Sequence, residues 1–284
     1  MCFLVAQKRK MKKTIITVSI TMVLTALVVL TIFEVLAQMD QAEADEIEEI
    51  ESEILGEKRK LLIHLPTTYD SLKRYPVLYV LDGSSQDFRM AAIAEVLNRA
   101  GVVEEMIIVG IPNTNRNRDL TPHYILQDTD GNTYGEGDRF LQFLTQEAEP
   151  YIRARYPVTN YRMLAGHSRA GLFSFYAGLE KPGFYDALFC FSPAFWRDEA
   201  IIVDNAATAW KRAAPLDTFL FMSLGTEEND KMTSAYQQMT HLMDQYLGDN
   251  GIHQLTEGAN HGNNLYFSTP FALTKWGESR NVTR

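Results

Sequence analysis

Two runs of this chain, Tyr75 to Leu81 (Tyr-Pro-Val-Leu-Tyr-Val-Leu) and Met106 to Ile111, are apolar at nearly every position. A strand with one wet face alternates apolar and polar residues, so a run that does not alternate must be covered on both faces. Segments of helical spacing separate such runs: Met90 to Leu97, then Phe140, Leu141, Leu144, Ala148, Tyr151 and Ile152, and later Met232 to Leu247. Further short strands are expected at Ala187 to Phe191, Thr218 to Leu224 and Ile252 to Leu255. This alternation predicts an α/β fold: a mostly parallel, twisted sheet with helices on both faces and ligands at the carboxyl ends of the strands. Upstream, Ile50 to Leu55, a turn at Gly56-Glu57 and Lys58 to Leu65 predict two antiparallel edge strands, ended by Pro66.

The chain has 284 residues, 46% of them hydrophobic, which suits one large domain better than two. A formal charge of −9 argues against a nucleic-acid partner. With only Cys2 and Cys190, neither a disulfide framework nor a cysteine-based metal site is available, and Cys190 reads as a small buried hydrophobe. Thr14 to Phe33 is uncharged, with Lys8, Arg9, Lys10, Lys12 and Lys13 before it and Val35-Leu36-Ala37 after it. It reads as an export segment, either a signal peptide cleaved before Gln38 or an uncleaved membrane anchor. Both send the remainder out of the cytoplasm, to the periplasm or beyond. Met11, directly before Lys12, is a second candidate start for that segment. The expected organisation is a signal peptide or anchor over 1–37, an acidic linker over 38–49, the folded domain over 50–276 and a C-terminal tail over 277–284.

Tyr161 to Gly171 reads as strand, sharp turn and helix around Ser168. Such a corner aims the serine oxygen out of the sheet. It also puts the next backbone N–H, that of Arg169, at a helix N-terminus, where a developing oxyanion can be met. Gly166, His167, Ser168 and Arg169 follow the G-x-S-x-G pattern, while Ala170 replaces the last glycine and Gly171 follows it. An ordinary strand-to-helix turn gives the same short match, so the partners of the serine carry the weight. A serine hydroxyl needs a base. His64, His241 and His253 fall within expected strands or a helix, and His123 precedes the serine, in the long polar loop from Asn113 to Gly137. His167 is expected to point away from Ser168. His261, in the turn-rich run Gly258 to Asn264 after the last strand, satisfies the chain order serine, acid, histidine. The acid is sought in Gly225-Thr226-Glu227-Glu228-Asn229-Asp230, where it would accept the imidazole's other N–H. Glu228 is favoured, with Glu227 and then Asp230 as alternatives, although carboxylates at a helix start also serve simply as caps. The N–H of Ser84, after Gly83, is the expected second oxyanion donor.

The segments Tyr75 to Gly83, Arg116 with Arg118 to Pro122, Gly166 to Gly171, Ser192-Pro-Ala-Phe-Trp196 and Asn260-His-Gly262 together resemble the esterase D-like esterases of the α/β-hydrolase superfamily. Enterochelin and feruloyl esterases, S-formylglutathione hydrolases and mycolyltransferases are members. The resemblance runs from about Ile50 to about Phe271. It implies a serine hydrolase that cleaves carboxylic esters through Ser168, His261 and an acid, with the N–H groups of Ser84 and Arg169 as oxyanion hole and with neither metal nor organic cofactor. The implied substrate is a small-molecule or acylated-glycan ester. By the same resemblance Gly83, Phe195 and Trp196 lie by the substrate pocket, the aromatics either gripping an acyl or aromatic group or packing in the core. Arg169 stands where members often carry an apolar residue, its side chain either a cation at the mouth of the site, favouring an anionic substrate, or a solvated one. An acyltransferase and a non-catalytic binding protein on a degenerate hydrolase fold are the alternative readings.

Overall fold

The computed structural model describes residues 44–125, 135–213 and 218–282, with side chains to 280. The expected export segment and the start of the acidic linker lie outside the described residues. Among those described, one mixed sheet has eight strands in the order β1-β2-β4-β3-β5-β6-β7-β8. β1 (Glu46–Ser52) and β2 (Glu57–His64) form the expected antiparallel edge pair, and β2 is also antiparallel to β4 (Ile107–Ile111). From β4 onward the sheet is parallel through β3 (Tyr75–Leu81), β5 (Val158–His167), β6 (Ala187–Phe191), β7 (Phe219–Gly225) and β8 (Gly251–Thr256).

Every residue of β3, β4, β6 and β7 is buried, as the absence of alternation requires. One face, carrying Leu78, Val80 and Ile108, packs against Met90 and Ala94 of α1 (Asp87–Arg99) and Leu273 and Trp276 of α8 (Asn264–Val282). The opposite face, carrying Val77, Tyr79 and Leu81, is covered by α3 (Gly137–Phe143), α5 (Arg169–Glu180), α6 (Ile201–Arg212) and α7 (Asp230–Tyr246). Helical spacing from Phe140 to Ile152 resolves into α3, a π turn at Leu144–Ala148 and α4 (Glu149–Arg155). Pro150, which cannot donate a backbone hydrogen bond, is the second residue after that wider turn. Among the described residues no helix is long and apolar enough to cross a membrane.

Two boundaries differ from expectation. β1 begins at Glu46, inside the stretch that composition marks as linker. An edge strand tolerates such charge because these carboxylates find partners: Glu46 and Glu48 accept hydrogen bonds from Tyr156 and Tyr151, and Glu49 pairs with Lys58. At the other end α8 continues to Val282, through residues expected as tail. Gly277 permits this, because a Cβ there would lie 2.3 Å from the carbonyl oxygen of Val102, and Arg280 pairs with Glu104 nearby.

The long polar loop is bolted down where it leaves β4. Its described residues include a short helical turn, α2 (Arg116–Asp119), capped by Asn115. Beneath it the buried guanidinium of Arg59 donates to Asp119, Glu57, Thr114 and the carbonyl of Pro112, and lies over the faces of Phe140 and Phe143. Arg118 completes the network by pairing with Glu57 and Asp119.

Candidate active site

Ser168 sits at the corner between β5 and α5 with φ 60° and ψ −117°, a region that side-chain-bearing residues seldom adopt. The corner is fixed from both sides. The N–H of Ser168 donates to the Phe191 carbonyl at 2.9 Å, and its own carbonyl accepts from Leu172 and Ala194, each at 3.0 Å. Gly166 is required by crowding: a Cβ there would lie 2.3 Å from the carbonyl oxygen of Ala170. Ala170, the departure from the usual glycine, is fully buried in the first turn of α5, so its methyl fits the corner.

Three loops at the carboxyl ends of β5, β7 and β8 bring Ser168, Glu228 and His261 together. His261 Nε2 is 2.9 Å from Ser168 Oγ, and His261 Nδ1 is 2.8 Å from Glu228 Oε2. The side chain of Glu228 is sealed from solvent while that of His261 is 44% exposed. Burial pushes the Glu228 carboxyl up, but hydrogen bonds from His261, Ser192 and the Gly225 N–H together outweigh it and hold the group below its ordinary range. Glu228 is therefore ionised at neutral pH. An ionised oxygen only accepts, so Nδ1 carries the hydrogen and Nε2 turns its lone pair toward the serine hydroxyl. That is the arrangement by which an imidazole takes a hydroxyl proton.

Support for the acid comes from two residues to which sequence reasoning gave no role. Ser192, buried with φ 43°, donates to Glu228 Oε1 and in turn accepts from Asn264 Nδ2 at 2.9 Å. Asn264 also donates to Ser223 at 3.0 Å and accepts from Ser268 at 2.8 Å. The Ser192-Pro193 pair and the Asn-rich turn were visible signals, but their convergence depends on the sheet. Backbone bonds stitch the acidic turn to the histidine loop, Thr226 N–H to Thr256 and Glu227 N–H to Ala259. Glu227 and Asp230 are exposed.

Several expectations are corrected. The N–H of Ser84 is not turned to a substrate: it donates to Asp87 Oδ1 at 2.8 Å, and Asp87 Oδ2 is held by the buried His64 at 2.8 Å. An acid three residues into the turn reaches back to the first N–H, as carboxylates at helix starts do. Gly83 permits a close approach of two loops, since a Cβ there would lie 2.5 Å from the Ile111 nitrogen. Phe195 is fully buried against Phe175 and so belongs to the core. Trp196 is half-buried, with the Arg197 guanidinium 5.0 Å from its ring centroid. Nor does the Arg169 side chain stand at the mouth: it is 3% exposed and donates to Thr121 at 2.6 Å, tying the elbow to the long loop. Arg116 grips the Asp82 carboxylate at 2.7 and 2.8 Å and reaches the His167 carbonyl at 3.3 Å. His167 turns to the histidine loop, with its ring centroid 4.8 Å from that of His261. Among the described residues no three His, Cys, Asp or Glu side chains are grouped to hold a metal.

Comparison with known proteins agrees with this architecture. The sequence profile of a family described as "Putative esterase" matches residues 52–240. The uncharacterized protein YbbA of Bacillus subtilis is 26% identical over 245 residues, 81% of this chain and 96% of that protein. A siderophore triacetylfusarinine C esterase of Aspergillus fumigatus is 26% identical over 147 residues, 46% of this chain and 48% of that protein. Among solved structures, an IroE-like serine hydrolase from Shewanella oneidensis superposes with a TM-score of 0.73 at 24% identity, over 81% of this chain and 79% of that one. The chain therefore belongs to this esterase family and is a carboxylic ester hydrolase built on an α/β-hydrolase fold.

Proposed function

We propose that hydrolysis proceeds through an acyl-enzyme on Ser168, with His261 as base and acid and Glu228 as its orienting partner. The observation that carries this reading is the two-bond relay from Ser168 Oγ through His261 to Glu228. As Oγ attacks the ester carbonyl carbon, Nε2 takes the hydroxyl proton and negative charge gathers on the carbonyl oxygen. The N–H of Arg169, first in α5, donates to that oxygen with the positive end of the helix behind it; losing such a donor costs roughly 3 kcal/mol of transition-state binding. Collapse of the tetrahedral intermediate expels the alcohol, which receives the proton from the imidazolium. Water then repeats the sequence on the acyl group and frees the acid. Glu228 stays ionised throughout, fixing the tautomer of His261 and stabilising its charged form.

The name of the Aspergillus relative supports a siderophore ester as substrate, and hydrolysis rather than acyl transfer. The uncharged run Thr14 to Phe33 and its basic flank support work outside the cytoplasm. The test is release of nitrophenol from nitrophenyl esters of graded acyl length, and of free acid from a ferric siderophore ester, beside Ser168→Ala. The variant is expected to lose at least about 1,000-fold in kcat; a rate equal to the parent's overturns the mechanism.

A further inference from the structure

His167 stands one residue before the proposed nucleophile, yet its side chain serves the loop that carries the base. Its Nε2 lies 2.8 Å from the carbonyl oxygen of His261. A carbonyl only accepts, so Nε2 carries the hydrogen. The two imidazole planes are inclined at 40°, with the His167 ring alongside that of His261. On its main-chain side the His167 carbonyl accepts from Arg116, which clasps Asp82. One residue thus joins the histidine loop, the elbow and the loop after β3.

The turn around His261 is bonded within itself, Gly262 N–H to Asn260 Oδ1 at 2.9 Å and Asn260 N–H to Asn263 Oδ1 at 2.8 Å, and these bonds do not tie it to the elbow. Asn260 and Gly262, on either side of His261, are exposed. Ser168 and Glu228 hold the two ring nitrogens of His261 but not its main chain. We infer that His167 is a positioning residue for the proposed base: its Nε2–H fixes the main chain of His261, and its ring is the surface against which the His261 imidazolium is stabilised during acyl transfer. The inference rests on the acyl-enzyme reading above.

An aromatic face attracts a neighbouring cation, whereas a second positive charge would repel it. His167 keeps the first role at neutral pH, because burial and then the charge of His261 push its pKa down to about 4. Asp82 and Glu228 oppose that shift, as does the bond to the His261 carbonyl; Arg116, on α2, faces the His167 backbone.

Two substitutions separate the donor from the ring. His167→Phe keeps an aromatic face and loses the N–H; His167→Gln keeps an amide donor at similar reach and loses the ring. Both are compared with the parent and Ser168→Ala on one nitrophenyl ester, with kcat, KM, the pH profile and thermal stability recorded. His167→Phe is expected to lower kcat about 10-fold with KM within about twofold, since small misplacements of a reacting group are costly. His167→Gln should retain kcat within about threefold, while the acid limb of kcat/KM moves to lower pH by about half a unit as the imidazolium loses its aromatic neighbour. The inference is overturned if His167→Phe turns over like the parent, or if both variants lose kcat, KM and thermal stability together. Ser168→Ala tells the two failures apart: a dead Ser168→Ala beside parent-like His167 variants sinks the inference alone, and an active Ser168→Ala sinks the acyl-enzyme reading with it.

Discussion

Glu228 lies sealed between His261, Ser192 and the Gly225 N–H, while Glu227 beside it faces solvent. The two side chains are chemically alike, so their difference is one of place. Glu228→Gln presents an amide where a charge is needed to hold the tautomer and stabilise the imidazolium, and kcat/KM should fall by about 1,000-fold or more, with Glu227→Gln within about twofold of the parent. Steady-state ester kinetics on the two variants decide it. His167 makes stability depend on pH. Its folded pKa of about 4 lies below the ordinary histidine value, so the unfolded chain binds the proton first as pH falls. The stability that the uncharged ring contributes is complete above about pH 6.5 and is lost as pH falls toward 4, by up to about 3 kcal/mol. Urea midpoints at pH 7.5 and 4.5 should differ less in His167→Gln than in the parent. At this scale chain order and turn chemistry pick out Ser168, His261 and the glutamate pair, because each lies in a turn that follows a strand. Side-chain direction was not legible. Arg169 turns inward because Thr121, distant in sequence, waits for it, and Ser84 turns away because Asp87 takes its N–H.

At the scale of elements, the core strands were legible from their lack of alternation, and they pair in a parallel sheet as expected. Their ends were less so. Composition marks Glu46 to Glu49 as linker and the last residues as tail, but pairing with β2 recruits the first into β1, and packing of Trp276 and Gly277 extends α8. The described start of the long loop is held by buried charge: Arg59 and Asp119 are both inaccessible, 2.6 Å apart, and the Arg59 Nε finds no partner among the described residues. Removing one member of such a pair strands the other. Asp119→Asn should cost about 3 kcal/mol in urea-unfolding stability and quicken proteolysis in the loop after β4. Equal midpoints for variant and parent would mean that Glu57 alone satisfies Arg59.

For the whole molecule, the parallel sheet explains why residues 168, 228 and 261 meet: all follow strands whose carboxyl ends share one edge. Oxygen nucleophile, imidazole and carboxylate therefore converge without being neighbours in sequence. The central claim is that Ser168 carries the acyl group, and the most direct measurement is rapid mixing of the full chain with nitrophenyl acetate, read by nitrophenol release and by mass. A burst of about one nitrophenol per enzyme should precede steady turnover, with a transient acetyl group on the peptide containing Ser168, and neither should appear in Ser168→Ala. A burst that persists in Ser168→Ala, or an acetyl group found on another residue, would contradict it.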